Sequence, residues 1–176
     1  MGRSLDVYVG YALLPYTEYD ETNVFDLIAS DAGFEDLDSD DDWIFRCFRE
    51  TLGLPDLEPE LKKIDHLPYQ EWKQQPTYKV WSEQRDQVNE ARKALGVDVS
   101  HFGVGDYTQP ILYYKDLSTA GYCTPFDVPT FTEEEVSVAR EALMTFAGIV
   151  HLDKYYEGLG RDLSEDLGLK AWANYF

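Results

Sequence analysis

Residues 5 to 13 read "LDVYVGYAL", and the fold class turns on how they are read. Leu5, Val7 and Val9 alternate with Asp6, Tyr8 and Gly10, the two-residue period of a strand with one apolar face, and Pro15 ends the pattern. Residues 167 to 176, "LGLKAWANYF", alternate in the same way. Three further segments, "VDVSHFGV" (97 to 104), "PILYYKD" (110 to 116) and "TAGYCTPF" (119 to 126), are rich in β-branched and aromatic residues. The short polar connections "GDYTQ" and "LS" between them predict an antiparallel meander.

Four segments with helical periodicity lie between these strands. In "ETNVFDLIASDAGF" (21 to 34) Asn23 caps a short helix, Val24, Leu27 and Ile28 face inward, and Gly33 closes it. "DDWIFRCFRETLG" (41 to 53) offers Ile44, Phe45, Phe48 and Leu52 as its buried face, with Gly53 and Pro55 as the stop. In "VWSEQRDQVNEARKALG" (80 to 96) Trp81, Val88, Ala91 and Leu95 form a stripe. The clearest helix is "FTEEEVSVAREALMTFAG" (131 to 148). Thr132 and Glu135 form a capping box there, Phe131 and Val136 a hydrophobic staple, and Val136, Leu143 and Phe146 an inner face. Four prolines make residues 54 to 77 a connecting region with one helical turn near Pro59 to Asp65. The pattern predicts one α+β domain over residues 1 to 176, an antiparallel or mixed sheet packed with three to four helices.

Charge is the most informative property of the composition. The chain has 34 Asp and Glu against 15 Lys and Arg, a net charge of -19, yet 44% of it is hydrophobic and 15% aromatic, which is core material and not the composition of a disordered acidic tail. Residues 1 to 60 hold 16 of the acids and three of the bases, and no Lys or Arg occurs between Ser4 and Phe45. A one-signed block of this kind repels nucleic acid and anionic membranes and attracts basic surfaces. No run of residues is apolar enough to span a membrane and no signal segment is recognisable, so a cytoplasmic protein is expected, in the host cytoplasm if phage-encoded. Two widely spaced cysteines, Cys47 and Cys123, signal neither a disulfide framework nor a zinc site.

The densest acidic stretch, "DLDSDDDW" (36 to 43), spaces Asp36, Asp38 and Asp40 like the first ligands of a calcium loop. Its sixth position is Asp41 where glycine is required and its twelfth is Cys47 where glutamate is required, so the loop fails at both defining positions. A helix opening fits better. Ser39 and Asp42 make a capping box, Asp40 to Asp42 sit at the positive end of the helix dipole, and Asp42 can pair with Arg46 one turn on. Capping accounts for two of these aspartates and leaves the density unexplained.

Catalytic signatures are sparse. His101 lies between Asp98 and Asp106, and His151 with Asp153 forms an H-x-D, but a second spaced ligand motif is missing and both histidines read as packing residues; His66 is the third. Cys47 and Cys123 fall on apolar positions, as core cysteines do. "GVG" at residues 103 to 105 opens no helix, so it is not a phosphate loop. Thirteen tyrosines could stack on single-stranded nucleic acid, but such sites need a basic groove beside them. No metal and no cofactor is expected.

In size, charge block and aromatic content the chain resembles the small acidic phage-encoded inhibitors of bacterial defence, of the anti-restriction and anti-CRISPR, DNA-mimic type. The resemblance implies a protein that binds a basic, nucleic-acid-binding host protein and occupies it by imitating phosphate charge. Read from the charge block, the candidate partner-binding residues are Glu18, Asp20, Glu21, Asp31, Glu35, Asp36, Asp38, Asp40, Asp41 and Asp42. The alternatives are a small enzyme that uses His101 or His151 as acid or base, and an acidic structural or assembly subunit.

Overall fold

The structure is a computed structural model that describes residues 5–17, 23–34, 40–99, 110–113, 118–120 and 130–175. Its first strand, β1 (Leu5–Leu13), organises the sheet by using both of its hydrogen-bonding edges. Along one edge lies β5 (Leu167–Tyr175), antiparallel over all nine residues from Leu5 opposite Tyr175 to Leu13 opposite Leu167. The other edge is divided. β3 (Ile111–Tyr113) pairs at Ala12 and Leu13, and β4 (Ser118–Ala120) pairs at Val7 to Val9. β2 (Val97–Val99) extends the sheet beyond β3, and every pairing in it is antiparallel.

The predicted meander is therefore corrected. β3 and β4 are consecutive in sequence, yet both turn to β1, whose edge offers a long run of unpaired groups to each of them. The number of helices is corrected too: three to four were expected, and the described residues form seven. They are α1 (Val24–Asp31), α2 (Asp40–Thr51), α3 (Glu58–Lys62), α4 (Tyr69–Trp72), α5 (Pro76–Leu95), α6 (Glu133–Ile149) and α7 (Leu152–Leu159). α3 overlaps the helical turn expected near Pro59 to Asp65, and two others escaped the sequence. α4 and α7 have four and eight residues, too short for a 3.6-residue period to repeat convincingly, and neither has the side-chain cap that marks the equally short α1.

Register shows which sheet face is the core. Leu13 stands opposite both Ile111 and Leu167, Val97 opposite Tyr113, and Val99 opposite Ile111, so these residues share one face. Across it lies α6, whose buried Ala139, Ala142, Leu143, Phe146 and Ala147 follow helical spacing and in which three alanines allow close approach to the strands. Val24, Phe25, Ile28 and Ala29 of α1, and Trp43, Ile44, Cys47 and Phe48 of α2, complete the core with Leu152, Tyr156 and Leu163. Full burial of each large apolar side chain contributes about 1.5–3 kcal/mol.

Several local expectations hold and two are displaced. Asn23 caps α1 by accepting from the Phe25 N–H at 2.9 Å, and Thr132 and Glu135 form the reciprocal capping box of α6. In α2, however, Leu52 is 44% exposed and Trp43 takes the buried place, its indole N–H donating to the Val150 carbonyl at 3.1 Å. That bond fastens the start of α2 to the junction of α6 and α7. Arg46, expected beside Asp42, pairs with Glu50 at 3.1 Å and lies over the Phe34 ring.

α5 begins at Pro76, whose fixed φ suits the first helical position, and ends at Gly96 with φ 72°. It buries only Gln84 and Val88, so it packs as an outer helix against α2, α3 and β2. Neither α3 nor α4 buries a side chain. The arm they form is held at three places. Arg49 donates to Asp56 at 2.7 Å, Gln84 donates to the Pro55 carbonyl at 3.2 Å, and Trp72 of α4 packs against Tyr78 and Trp81 of α5. No helix among the described residues is long and apolar enough to cross a membrane.

Candidate functional site: an acidic helix pair and a helical cleft

Four of the ten acids singled out by sequence lie within the described residues. Asp31 is the exposed last residue of α1, and Asp40, Asp41 and Asp42 form the first turn of α2, with Asp42 exposed. α1 and α2 pack against each other, and Asp26, in the first turn of α1, is exposed as well. Glu18, Asp20, Glu21, Glu35, Asp36 and Asp38 lie outside the described residues, as does Ser39 of the expected capping box.

His151, read as a packing residue, is half-buried. It caps α7 with φ 64°, the one positive φ at a non-glycine among the described residues, and its ring lies 6.1 Å from that of Trp43. Its Nδ1 is buried without a hydrogen-bond partner, while Asp153 accepts from the Lys154 N–H at 2.8 Å. His66 is exposed, and His101 and Asp106 lie outside the described residues. Asp98, the remaining candidate beside His101, is bound by the Arg92 guanidinium and by the Val99 N–H. Among the described residues no group of three or more His, Cys, Asp or Glu is placed to hold a metal ion.

Cys47 is a core cysteine, 2% exposed, and its thiol is pushed up to about 12, first by burial and then by the Glu50 carboxylate, with Arg46 opposing. A thiol held neutral this firmly is no nucleophile at neutral pH. Cys123 lies outside the described residues.

The feature that sequence reading missed is a cleft of about 930 Å³ between α2, α3 and α5. One wall is the stripe Asp42, Phe45 and Arg49 of α2, the other the stripe Trp81, Arg85, Asn89 and Arg92 of α5, each at helical spacing. Leu57, Glu58, Leu61 and Lys62 close it from the α3 side, and Gly33 and Phe34 from the end of α1. Two polar side chains of its lining are almost wholly buried, Arg49 at 6% exposure and Gln84 at 4%. Each keeps one atom without a partner: Arg49 Nε, a donor, and Gln84 Oε1, an acceptor. Half of this signal was legible. Gln84 falls three residues after Trp81 and four before Val88, on the apolar stripe of α5, and a polar residue at an inward position is a visible anomaly. Arg49 gave no such sign, because its burial depends on the arm that folds back to meet it.

Comparison with protein-family models, with curated proteins and with solved structures finds no match.

Proposed function

We propose that this protein is a non-catalytic binding protein whose acidic surface engages a basic, nucleic-acid-binding partner in the cytoplasm, in the manner of an inhibitor that imitates nucleic-acid charge. The observation that carries the reading is the absence of any Lys or Arg from Ser4 to Phe45, a segment with 12 carboxylates. Where that segment is described, its helical acids Asp26, Asp31 and Asp42 are exposed. Duplex DNA carries a charge about every 1.7 Å of its axis, so a competitor for its groove needs carboxylates crowded on one surface. Charge crowded into one segment of the chain suits a directed contact better than charge spread for hydration alone, as a purely structural acidic subunit would have it.

The test is affinity capture from the presumed host at low and high salt, followed by competition of the captured basic protein with duplex DNA. Retention at low salt, release at high salt and displacement by DNA are expected. The variant Asp26→Asn, Asp31→Asn, Asp42→Asn should associate more slowly, and its deficit should shrink as salt rises, because exposed charges act over about 8 Å at physiological ionic strength. Neutralising the exposed Glu134 and Glu165, outside the acidic segment, is the control. Equal low-salt affinity of the triple variant and the unmodified protein would refute the reading.

A further inference from the structure

β1 and β5 are the two nine-residue strands of the sheet, and among the described residues β5 pairs with β1 alone. Successive residues of a strand turn their N–H and C=O groups to opposite edges, so alternate residues of β5 direct theirs away from β1. Such an edge is a template for a further strand, and proteins blunt it with proline, with several charges or by keeping the strand very short. β5 is long, contains no proline and carries one charge, Lys170.

The core-side face of β5 is open as well. Leu167 and Leu169 stand opposite Leu13 and Tyr11 in register, on the face that packs into the core. α6 lies across β1, β2 and β3, and Tyr11 on β1 is 6% exposed, yet Leu169 beside it is 52% exposed. Burial therefore falls away between one strand and the next, where an apolar side chain on the inner face of a sheet is ordinarily covered.

Charge selects the occupant of this edge. No carboxylate occurs from Leu167 to Phe176 in a chain that has 34 of them, and the preceding acid, Asp166, is bound by Tyr156 and Arg161. A basic partner finds no acid here, and one lysine is too little to hold an anionic one. A second copy, repelled along the acid block by a net charge of -19 on each chain, can approach where carboxylates are missing. An antiparallel strand is also its own complement, because a two-fold rotation presents the same donors and acceptors in reverse. Pairing all nine residues of β5 in this way fixes the axis at Ala171. Lys170 then stands opposite Trp172 of the second copy, so the two lysines are not set against each other, as like charges directly opposite would destabilise the pair.

We propose that β5 pairs antiparallel with β5 of a second copy, joining the two sheets into one across a two-fold axis at Ala171. On the inner face this register sets Leu169 of each copy opposite Ala173 of the other. The pairing is independent of the acidic surface and would stand if that surface had no partner.

Sedimentation equilibrium of the full chain tests it, one copy having a mass of 20.3 kDa. One strand per copy makes a small interface, so a dimer with a dissociation constant on the order of micromolar is expected. Because the copies repel each other, the dimer should tighten severalfold as salt rises from about 0.02 to about 0.3 M, the reverse of a contact between acids and a basic protein. Leu169→Lys alters an exposed side chain and adds a guarding charge to the edge. It should keep the circular dichroism spectrum and weaken association about tenfold. Ala171→Cys in a Cys123→Ser background reads the register. Opposite residues of an antiparallel pair have Cα atoms about 4.5–5.5 Å apart, within the reach of a disulfide, so air oxidation should give a covalent dimer. Glu134→Cys, exposed on α6, should stay uncoupled under the same conditions. A monomer at about millimolar concentration overturns the proposal. So does a dimer that Leu169→Lys leaves unchanged, or one in which Ala171→Cys couples no better than Glu134→Cys.

Discussion

The Tyr156 hydroxyl donates to Asp166 Oδ2 at 2.6 Å, and the hydroxyl oxygen of Tyr156 accepts from the Tyr16 N–H at 2.7 Å. Through one side chain, α7 is thus tied to the entry of β5 and to the exit of β1. Arg161 completes the cluster, 3.8 Å from Asp166 Oδ2 and 3.8 Å from the centre of the Tyr16 ring.

Tyr156→Phe keeps the ring and removes both hydrogen bonds, leaving Asp166 and the Tyr16 N–H to water that reaches them only in part. A loss of about 1–3 kcal/mol is expected, read as a melting temperature lower by about 2–4 °C per kcal/mol. Burial, and next the bond to Asp166, hold the hydroxyl well above its ordinary value of 10.0. The neutral form is therefore favoured by folding, and its contribution is complete below about pH 10 and lost as pH rises beyond. Above that pH the unmodified protein should lose stability faster than Tyr156→Phe does, and parallel melting curves would contradict the assignment.

Cys47 follows the same logic at lower pH. Its thiol moves from an ordinary 9.0 to about 12, so the stability linked to the neutral form is whole below pH 9.0 and declines as pH climbs towards 12. In a Cys123→Ser background, a thiol reagent at about pH 8 should label Cys47 only at the rate of unfolding. Cys47→Ala should flatten the alkaline slope of the melting temperature.

Thr132→Ala removes the acceptor for the Glu135 N–H, 3.2 Å away, and with it half of the capping box of α6. The cost should be about 1 kcal/mol. Because α6 is the helix laid across the sheet, the loss should appear in global denaturant unfolding, and local fraying alone would show that the end of α6 is uncoupled from the core.

At Arg49 and Asp56 the two single deletions are unequal. Asp56→Ala leaves a guanidinium at 6% exposure without its main partner, whereas Arg49→Met leaves a carboxylate that is 49% exposed and readily hydrated. The first should cost about 1–3 kcal/mol and the second less. Chemical denaturation of the two variants measures the difference, and the reverse order would show that the Arg49 stem contributes more by packing than the ion pair does.

His151 separates backbone from side chain. With φ 64° it occupies the left-handed region, which costs a residue with a Cβ about 1–2 kcal/mol and glycine nothing. His151→Ala keeps that cost and loses the ring against Trp43, so His151→Gly should be the more stable of the two by about 1 kcal/mol, as thermal melts of both would reveal.

What the sequence by itself determined is what neighbours in the chain decide. The alternation of residues 5 to 13 and 167 to 175, the caps at Asn23 and Thr132, and the stop at Gly96 all act within a few residues, and each appears in the structure where its pattern places it. The choice of partners was decided only by the tertiary structure. β1 could pair with any strand of similar pattern. Closure of the whole chain brought Tyr175 opposite Leu5 and drew β3 and β4 to its other edge in place of each other. The cleft depends on the same kind of closure. Lys62 and Arg85 are two of fifteen bases in the sequence, and Arg49 reads as an ordinary surface arginine. They come to line one cleft because the proline-rich arm returns to α5, pinned at Asp56 and Pro55, and contacts between residues distant in sequence leave no periodic trace in it.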